Sequence, residues 1–395
     1  MTEQAGKRWD IFCKIVDNYG DIGVCWRLAQ QLAHEHAINV RLFVDDMTVA
    51  KKIIPALDIN SPIQVINQVQ IVTWATIEAN QIVVNRIALN EVDVVLETFG
   101  CELPAPYLQH LSFKTIWINL EYLSAESWVS EFHAKPSKHP TLALTKYFYF
   151  PGFFESTGGL IREKDLIKQR NAFIASQESQ NNFWQQVIGG GSNSQDIKLS
   201  LFCYPQAHIK KLIEDLQKTN RPISIFMLFN STMIEVKTIF ADFKYNIGEV
   251  YQKNNLTIYV VPFLSQTDYD HLLWACDLNF VRGEDSWIRA IWASKPFIWQ
   301  PYIQSDDVHL NKLNAFLNFY TENATEQTTT LIKQVNLSWS GYGEINTSNS
   351  IWPQLIDQLS NLAEHSKRQT ITLNNQTDLT TKLVIFSEKL QENQV

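Results

Sequence analysis

The chain has 395 residues, 45% hydrophobic and 19% charged, which is enough apolar material for two domains with separate cores and too little polarity for general disorder. Lys and Arg number 33 against 41 Asp and Glu, a net charge of -8 with no continuous basic stripe, which argues against nucleic acid as a partner. The N-terminus MTEQAGKRWDIF lacks the charged, apolar and small-residue order of a signal peptide, and no run reaches the roughly 18 apolar residues of a membrane span, so a cytoplasmic protein without a membrane partner is expected.

Short apolar runs alternate with amphipathic stretches from the start. DIFCKIV, INVRLFV, QIVTW, VDVVLETF and KTIWINL read as strands through the first 150 residues, with helices at 22–36 and 45–56 between them. Runs that are apolar on both faces suggest parallel strands covered by helices, hence an open α/β sheet. Proline and glycine cluster in FPGFFESTGGL, 150–160, ahead of the long amphipathic stretch REKDLIKQRNAFIASQESQNNFWQQVI.

After GGGSNSQ, 189–195, the alternation restarts: IKLSLFCY (strand), AHIKKLIEDLQKT (helix), ISIFMLF and LTIYVVPFL (strands), YDHLLWACD (helix), LNFVR (strand), DSWIRAIWAS (helix) and PFIWQPY (strand). From HLNKLNAFLNFYTEN onward the chain reads as mainly helical, with a polar tail. The expected architecture is α/β, with two doubly wound Rossmann-like domains facing a cleft. They span 1–158 and 159–375, and 376–395 forms a helical tail packing back on the N-terminal domain. Ligands are expected at the carboxyl ends of the strands and in the cleft.

Several chemistries lack their residues. The first strand-to-helix turn reads DNYGDIG, with G-x-x-G spacing rather than G-x-G-x-x-G, which disfavours a dinucleotide cofactor, and Gly189–Gly191 is followed by SNSQ without the lysine of a P-loop. His34 and His36 are two apart and face different sides of a helix, and no other metal-ligand spacing stands out, so no metal is expected. Cys13, Cys25, Cys101, Cys203 and Cys276 lie far apart without C-x-x-C and read as reduced core thiols. No G-x-S-x-G elbow or other nucleophile motif appears.

Two constellations remain. In VDNYGDIGV, 16–24, Asp17 and Asp21 both follow the first strand. Asp21 as N-cap of a helix starting near Ile22 and Asp17 closing an Asx turn would account for both structurally. The competing reading is a paired-carboxylate site for a cation, or for an acceptor that must lose a proton, since doubly wound folds place ligands there. In FVRGEDSWIRAIWAS, 280–294, a strand enters a helix through RGEDS. Capping by Asp285 or Ser286 is the plain reading; the alternative is a diphosphate at the helix terminus, with Glu284 accepting hydrogen bonds from sugar hydroxyls. Phe263 and Gln266, in VPFLSQTDYDHLLWACD, could hold a pyrimidine base, and Tyr204, in SLFCYPQ, ends the second domain's first strand. Packing of the core is the competing account for each.

DIFCKIVDNYGDIGVCWRLAQQLA, SLFCYPQ and VPFLSQTDYDHLLWACDLNFVRGEDSWIRAIWASKPFIWQPYIQ together resemble the elongation factor P arginine rhamnosyltransferases, the EarP family. The likeness extends over nearly the whole chain and is weakest in the polar 320–350 region and the tail. It implies a two-domain glycosyltransferase fold of the B type, with dTDP-β-L-rhamnose as donor, held chiefly by the C-terminal domain. It also implies an arginine in a loop of bacterial elongation factor P as acceptor, inversion at the anomeric carbon, and no cofactor or metal. Carried over by position, Asp17 and Asp21 are acceptor-side carboxylates with Asp21 the favoured general base. Tyr204, Phe263, Gln266, Glu284, Asp285 and Ser286 fall where the family binds the nucleotide sugar. Placement beside them adds Ser265, Arg282 and Tyr302, and Asn18 and Gly20 are further candidate contacts in the first loop.

Arginine is an unusual nucleophile. Its pKa of about 12.5–13.8 against a carboxylate near 4 leaves about 9 units, or about 12 kcal/mol, which argues against full deprotonation before attack. Two carboxylates gripping the guanidinium, with proton loss to Asp21 during or after bond formation, meet this limit. A hinge near 150–165 would then close the cleft against water. A nucleotide-sugar epimerase or hydrolase on the same fold, and a non-catalytic binding protein, are the alternatives. Only the transferase adds a deoxyhexose to elongation factor P.

Overall fold

The structure is a computed structural model that describes residues 6–17, 19–79, 92–109, 111–229, 245–342 and 350–393. The chain forms two compact units, Met1–Lys164 with Gln376–Val395, and Asp165–Asn375.

In the first unit the strands are β1 (Arg8–Cys13), β2 (Asn39–Val44), β3 (Ile63–Ile66), β4 (Val69–Thr73), β5 (Val94–Thr98), β6 (Ile116–Leu120), β7 (Lys135–Lys138) and β8 (Thr145–Tyr149). They form one sheet in the order β3-β4-β2-β1-β5-β6-β8-β7. β1 pairs in parallel with β2 on one side and β5 on the other, so the chain reverses its direction of travel across the sheet between β1 and β5. Register decides what the core holds. Phe12 and Phe43 are cross-strand partners and their rings stack with centroids 4.4 Å apart. Asp10 and Arg41 are partners too, and the buried carboxylate takes both arms of the guanidinium at 2.6 Å and the Tyr107 hydroxyl at 2.6 Å. A charge can sit in this core because every strong bond it needs is supplied there.

The stretch 150–160 is packed into this unit. A Cβ at Gly158 would come within 2.5 Å of the Tyr149 ring, and Gly159, with φ +77°, would bring one within 2.8 Å of the Thr377 carbonyl. Only glycine fits such approaches. The chain passes to the second unit beyond them, at Lys164–Asp165, and returns at Gln376. The returning helix Leu379–Glu392 is capped by Asp378, whose carboxylate also meets the Gln31 amide at 3.0 Å, while Thr380 donates to Gln31 at 2.7 Å.

In the second unit β9 (Ile197–Leu201), β10 (Ile223–Leu228), β11 (Val250–Lys253), β12 (Leu256–Val261), β13 (Leu278–Arg282) and β14 (Phe297–Gln300) are ordered β11-β12-β10-β9-β13-β14. All pairs are parallel except β11 with β12. Here the reversal falls between β9 and β13. Helices Gln266–Ala275 and Asp285–Ala293 are tied by a buried fork of Arg289 on Asp270, at 2.8 and 2.6 Å. Trp287 of the second helix stacks on Trp299 of β14 with centroids 3.7 Å apart.

The strands read from apolar runs are present, and the amphipathic stretch after 162 forms two helices, Leu166–Ala175 and Gln177–Ile188. The first residue of the triple glycine ends the latter helix at φ +69°. Four strands had no such signature: β3, β7 and β11 are edge strands of four residues with mostly exposed side chains, so neither face needs an apolar run, and β8 is only half-buried along most of its length. All five cysteines are free and buried. Among the described residues no helix is long and apolar enough to cross a membrane, and no three His, Cys, Asp or Glu side chains gather as a metal ion would need.

Candidate functional site

In the first unit β1 ends at Cys13 and the helix Gly20–His36 begins seven residues later, at the switch point of the sheet. The N-cap is Tyr19, without a side-chain cap. Asp21 is therefore not the cap expected from the sequence; it is the second residue of the helix. Its side chain turns back to the loop, where Oδ2 accepts the N–H groups of Val16 at 2.7 Å and Asp17 at 2.8 Å. Oδ1 accepts the Tyr122 hydroxyl at 3.2 Å. These bonds and the helix terminus favour the anion, but burial outweighs them and, with a smaller push from Asp45, raises the carboxyl above its ordinary value. A buried carboxylate with a raised pKa is a better base than an exposed one.

Asp17 is also buried. Its carbonyl accepts the Gly20 N–H at 2.7 Å, closing a backbone turn. A Cβ at Gly20 would stand 2.8 Å from Asp17 Oδ2, so glycine is what lets the Asp17 carboxylate lie over the helix start. Gly20→Ala is expected to push that carboxylate aside and lower turnover by roughly tenfold, with donor affinity unchanged; wild-type turnover would show that the Asp17 position is unimportant. Asn18 lies outside the described residues. Tyr122 was not singled out in the sequence, although an aromatic just past the apolar run KTIWINL occupies a ligand-side position in such a sheet.

The second unit gathers its candidates after the carboxyl ends of parallel strands. Tyr204 follows β9, and its N–H donates to Gln300 Oε1 of β14 at 2.8 Å. Arg282 ends β13, and its guanidinium carbon stands 4.4 Å from the Phe202 ring centre and 4.5 Å from that of Tyr204. Both strands flank the switch point. The half-exposed Tyr302 ring meets Tyr204 edge-on at 5.8 Å. A cation held on aromatic faces at a strand end suits the diphosphate and base of a nucleotide. Phe202 and Gln300 carry no sequence signal of their own and emerge only from this packing.

The RGEDS turn differs from the capping expectation. The N-cap of Asp285–Ala293 is Glu284, buried and without a side-chain cap, in place of Asp285 or Ser286. Ser286 instead clasps Arg282: its hydroxyl accepts the Arg282 N–H at 3.0 Å and donates its only proton to the Arg282 carbonyl. Ser286→Ala is therefore expected to lose about 1 kcal/mol of stability and to weaken binding of dTDP-rhamnose only a few-fold, through a looser Arg282; a calorimetric loss of more than about tenfold would show direct contact instead. Ser265 caps Gln266–Ala275, accepting the Asp268 N–H at 3.1 Å and donating to its carboxylate at 2.7 Å, which accounts for it structurally. Phe263 and Gln266 are half-buried after β12, which β10 and β9 separate from β13.

Residues 9–388 match the family model described as "Elongation-Factor P (EF-P) rhamnosyltransferase EarP". A protein-arginine rhamnosyltransferase of Pseudomonas aeruginosa is 37% identical over 381 residues, covering 96% of this chain and 98% of the relative. A solved structure described as "Structural basis for EarP-mediated arginine glycosylation of translation elongation factor EF-P" aligns over 97% of this chain and 99% of its own, with TM-score 0.66 and 26% identity. A glycosyltransferase from Rickettsia africae shares the fold, with TM-score 0.53 at 12% identity over 98% and 99% of the two chains. Two Rossmann-like units of the B-type glycosyltransferase kind, a match across nearly the whole chain and relatives of equal length make this chain a member of the EF-P rhamnosyltransferase EarP family.

Proposed function

We propose that the protein transfers L-rhamnose from dTDP-β-L-rhamnose to a guanidinium nitrogen of an arginine in elongation factor P, with inversion at the anomeric carbon and without a metal or other cofactor. The two units divide the work: the first presents the carboxylates to the acceptor, the second holds the sugar nucleotide. The observation that carries this reading is the Asp21 carboxylate, buried in the first turn of the helix after β1 and fixed by three donors, with its basicity raised by burial.

Attack forms a bond between the acceptor nitrogen and the anomeric carbon as the bond from that carbon to the diphosphate oxygen breaks, and the electron pair departs with dTDP. The proton of the attacking nitrogen goes to Asp21. Raising the Asp21 pKa narrows the gap to the guanidinium without closing it, so proton loss accompanies or follows attack, once the nitrogen has become acidic through bond formation. Asp17 orients the guanidinium and balances its charge. On the donor side Arg282 and the terminus of Asp285–Ala293 meet the charge that grows on the diphosphate, Glu284 accepts from sugar hydroxyls, and Phe263, Gln266 and Tyr204 hold the base.

The test is the intact mass of elongation factor P after incubation with the protein and dTDP-rhamnose. One deoxyhexose on the wild-type factor and none after its acceptor arginine is changed to lysine is expected. An unmodified factor with free rhamnose in solution would replace transfer by hydrolysis.

A further inference from the structure

Tyr122 reaches Asp21 through its hydroxyl, and its setting is unusually fixed. It stands two residues past β6, and its neighbour Glu121 donates its N–H to the Tyr149 carbonyl at 2.9 Å. The Tyr122 ring stacks on Phe99 with centroids 4.3 Å apart and planes 11° from parallel. Phe99 follows β5 in the left-handed region at φ +58°, followed by Gly100 at φ +64°, and its N–H is held by the Leu120 carbonyl at 2.7 Å. A bulky residue adopts that conformation only where its surroundings enforce it. Here it lays the Phe99 ring flat on Tyr122, and the hydroxyl reaches Asp21 Oδ1.

A carboxylate offers about four lone-pair positions. At Asp21 two backbone N–H groups occupy Oδ2 and Tyr122 occupies one side of Oδ1. We propose that Tyr122 is a positioning residue for the transfer: it fixes the plane of the Asp21 carboxylate and leaves one lone-pair position, on Oδ1, as the place where the acceptor's N–H is received and its proton taken. The inference rests on the reading of Asp21 as proton acceptor. Without the tyrosine the carboxylate keeps its two amide bonds on Oδ2, but Oδ1 becomes open on both sides and the direction of the acceptor bond is no longer fixed.

The same bond acts on the titration of Asp21. The groups facing that carboxyl are Asp17 and the loop amides, the Cys13 thiol at the end of β1, Asp45 beyond β2, and Tyr122 beyond β6. Burial pushes the Cys13 thiol far up, so it stays neutral. The Tyr122 bond favours the anion, and its loss raises the Asp21 pKa further. A base is lost as pH falls through its pKa, so the acid limb of the rate profile moves to higher pH.

Tyr122→Phe keeps the stacked ring and removes only the hydroxyl. Expected are a roughly tenfold lower kcat, an unchanged dTDP-rhamnose Kd by calorimetry, a little-changed KM for elongation factor P, and an acid limb shifted to higher pH. Phe99→Leu, which frees the ring without touching the hydroxyl, is expected to move kcat in the same direction by less. Wild-type kcat and an unmoved acid limb in Tyr122→Phe, with the wild-type protein active, overturn the proposal, as does a loss confined to thermal stability. An inactive wild-type protein would instead overturn the functional reading beneath it.

Discussion

Asp21→Asn is expected to lower turnover by about 10²–10⁴-fold, the usual contribution of a placed general base, while dTDP-rhamnose affinity measured by calorimetry stays at the wild-type value. The substitution preserves shape, so its effect isolates chemistry. An amide has one oxygen, and the two N–H groups of Val16 and Asp17 claim it. The NH₂ then faces the Tyr122 hydroxyl and the incoming guanidinium, a donor where both an acceptor and a proton sink are required. Donor affinity is unaffected because the sugar nucleotide is assigned to the second unit. Near-normal turnover would remove Asp21 from the chemistry and return it to the role of loop fastener, a role its two backbone bonds would suffice to explain.

Glu284→Ala is expected to weaken dTDP-rhamnose binding by about ten- to a hundredfold, the loss of a hydrogen bond to a charged group, with little change in affinity for elongation factor P. Glu284 is buried at the N-cap of Asp285–Ala293 and caps nothing with its side chain. An acidic residue beside the proposed diphosphate site carries an electrostatic cost, which bonds to sugar hydroxyls would offset. An unchanged Kd would move the sugar away from this turn. Comparison with Ser286→Ala separates contact from support, since the Ser286 hydroxyl is committed to the Arg282 backbone.

The parts of the fold legible in the sequence are those that bury both faces. β1, β5 and β10 are apolar runs because they are buried along nearly their whole length, whereas the exposed edges β3, β7 and β11 and the half-buried β8 require no such run. At the site, acidic residues after the first strand and in the RGEDS turn were legible from topology, since strand ends at switch points are where ligands go. Their hydrogen bonding was not. Asp21 looked like an N-cap because capping preferences are local, while its real partners include Tyr122, about a hundred residues away. The same holds for Ser286, drawn away from capping by the Arg282 backbone, and for the seat of Arg282 on Phe202 and Tyr204, which depends on two strands meeting side by side.

The central claim is that a carboxylate of the first unit receives the acceptor's proton. A crystal structure of the protein with elongation factor P and dTDP measures this directly. The account predicts a guanidinium nitrogen of the acceptor arginine about 2.6–3.2 Å from Asp21 Oδ1, with the Tyr122 bond retained. An arginine bound by other groups, its nitrogens out of reach of both Asp17 and Asp21, would contradict it.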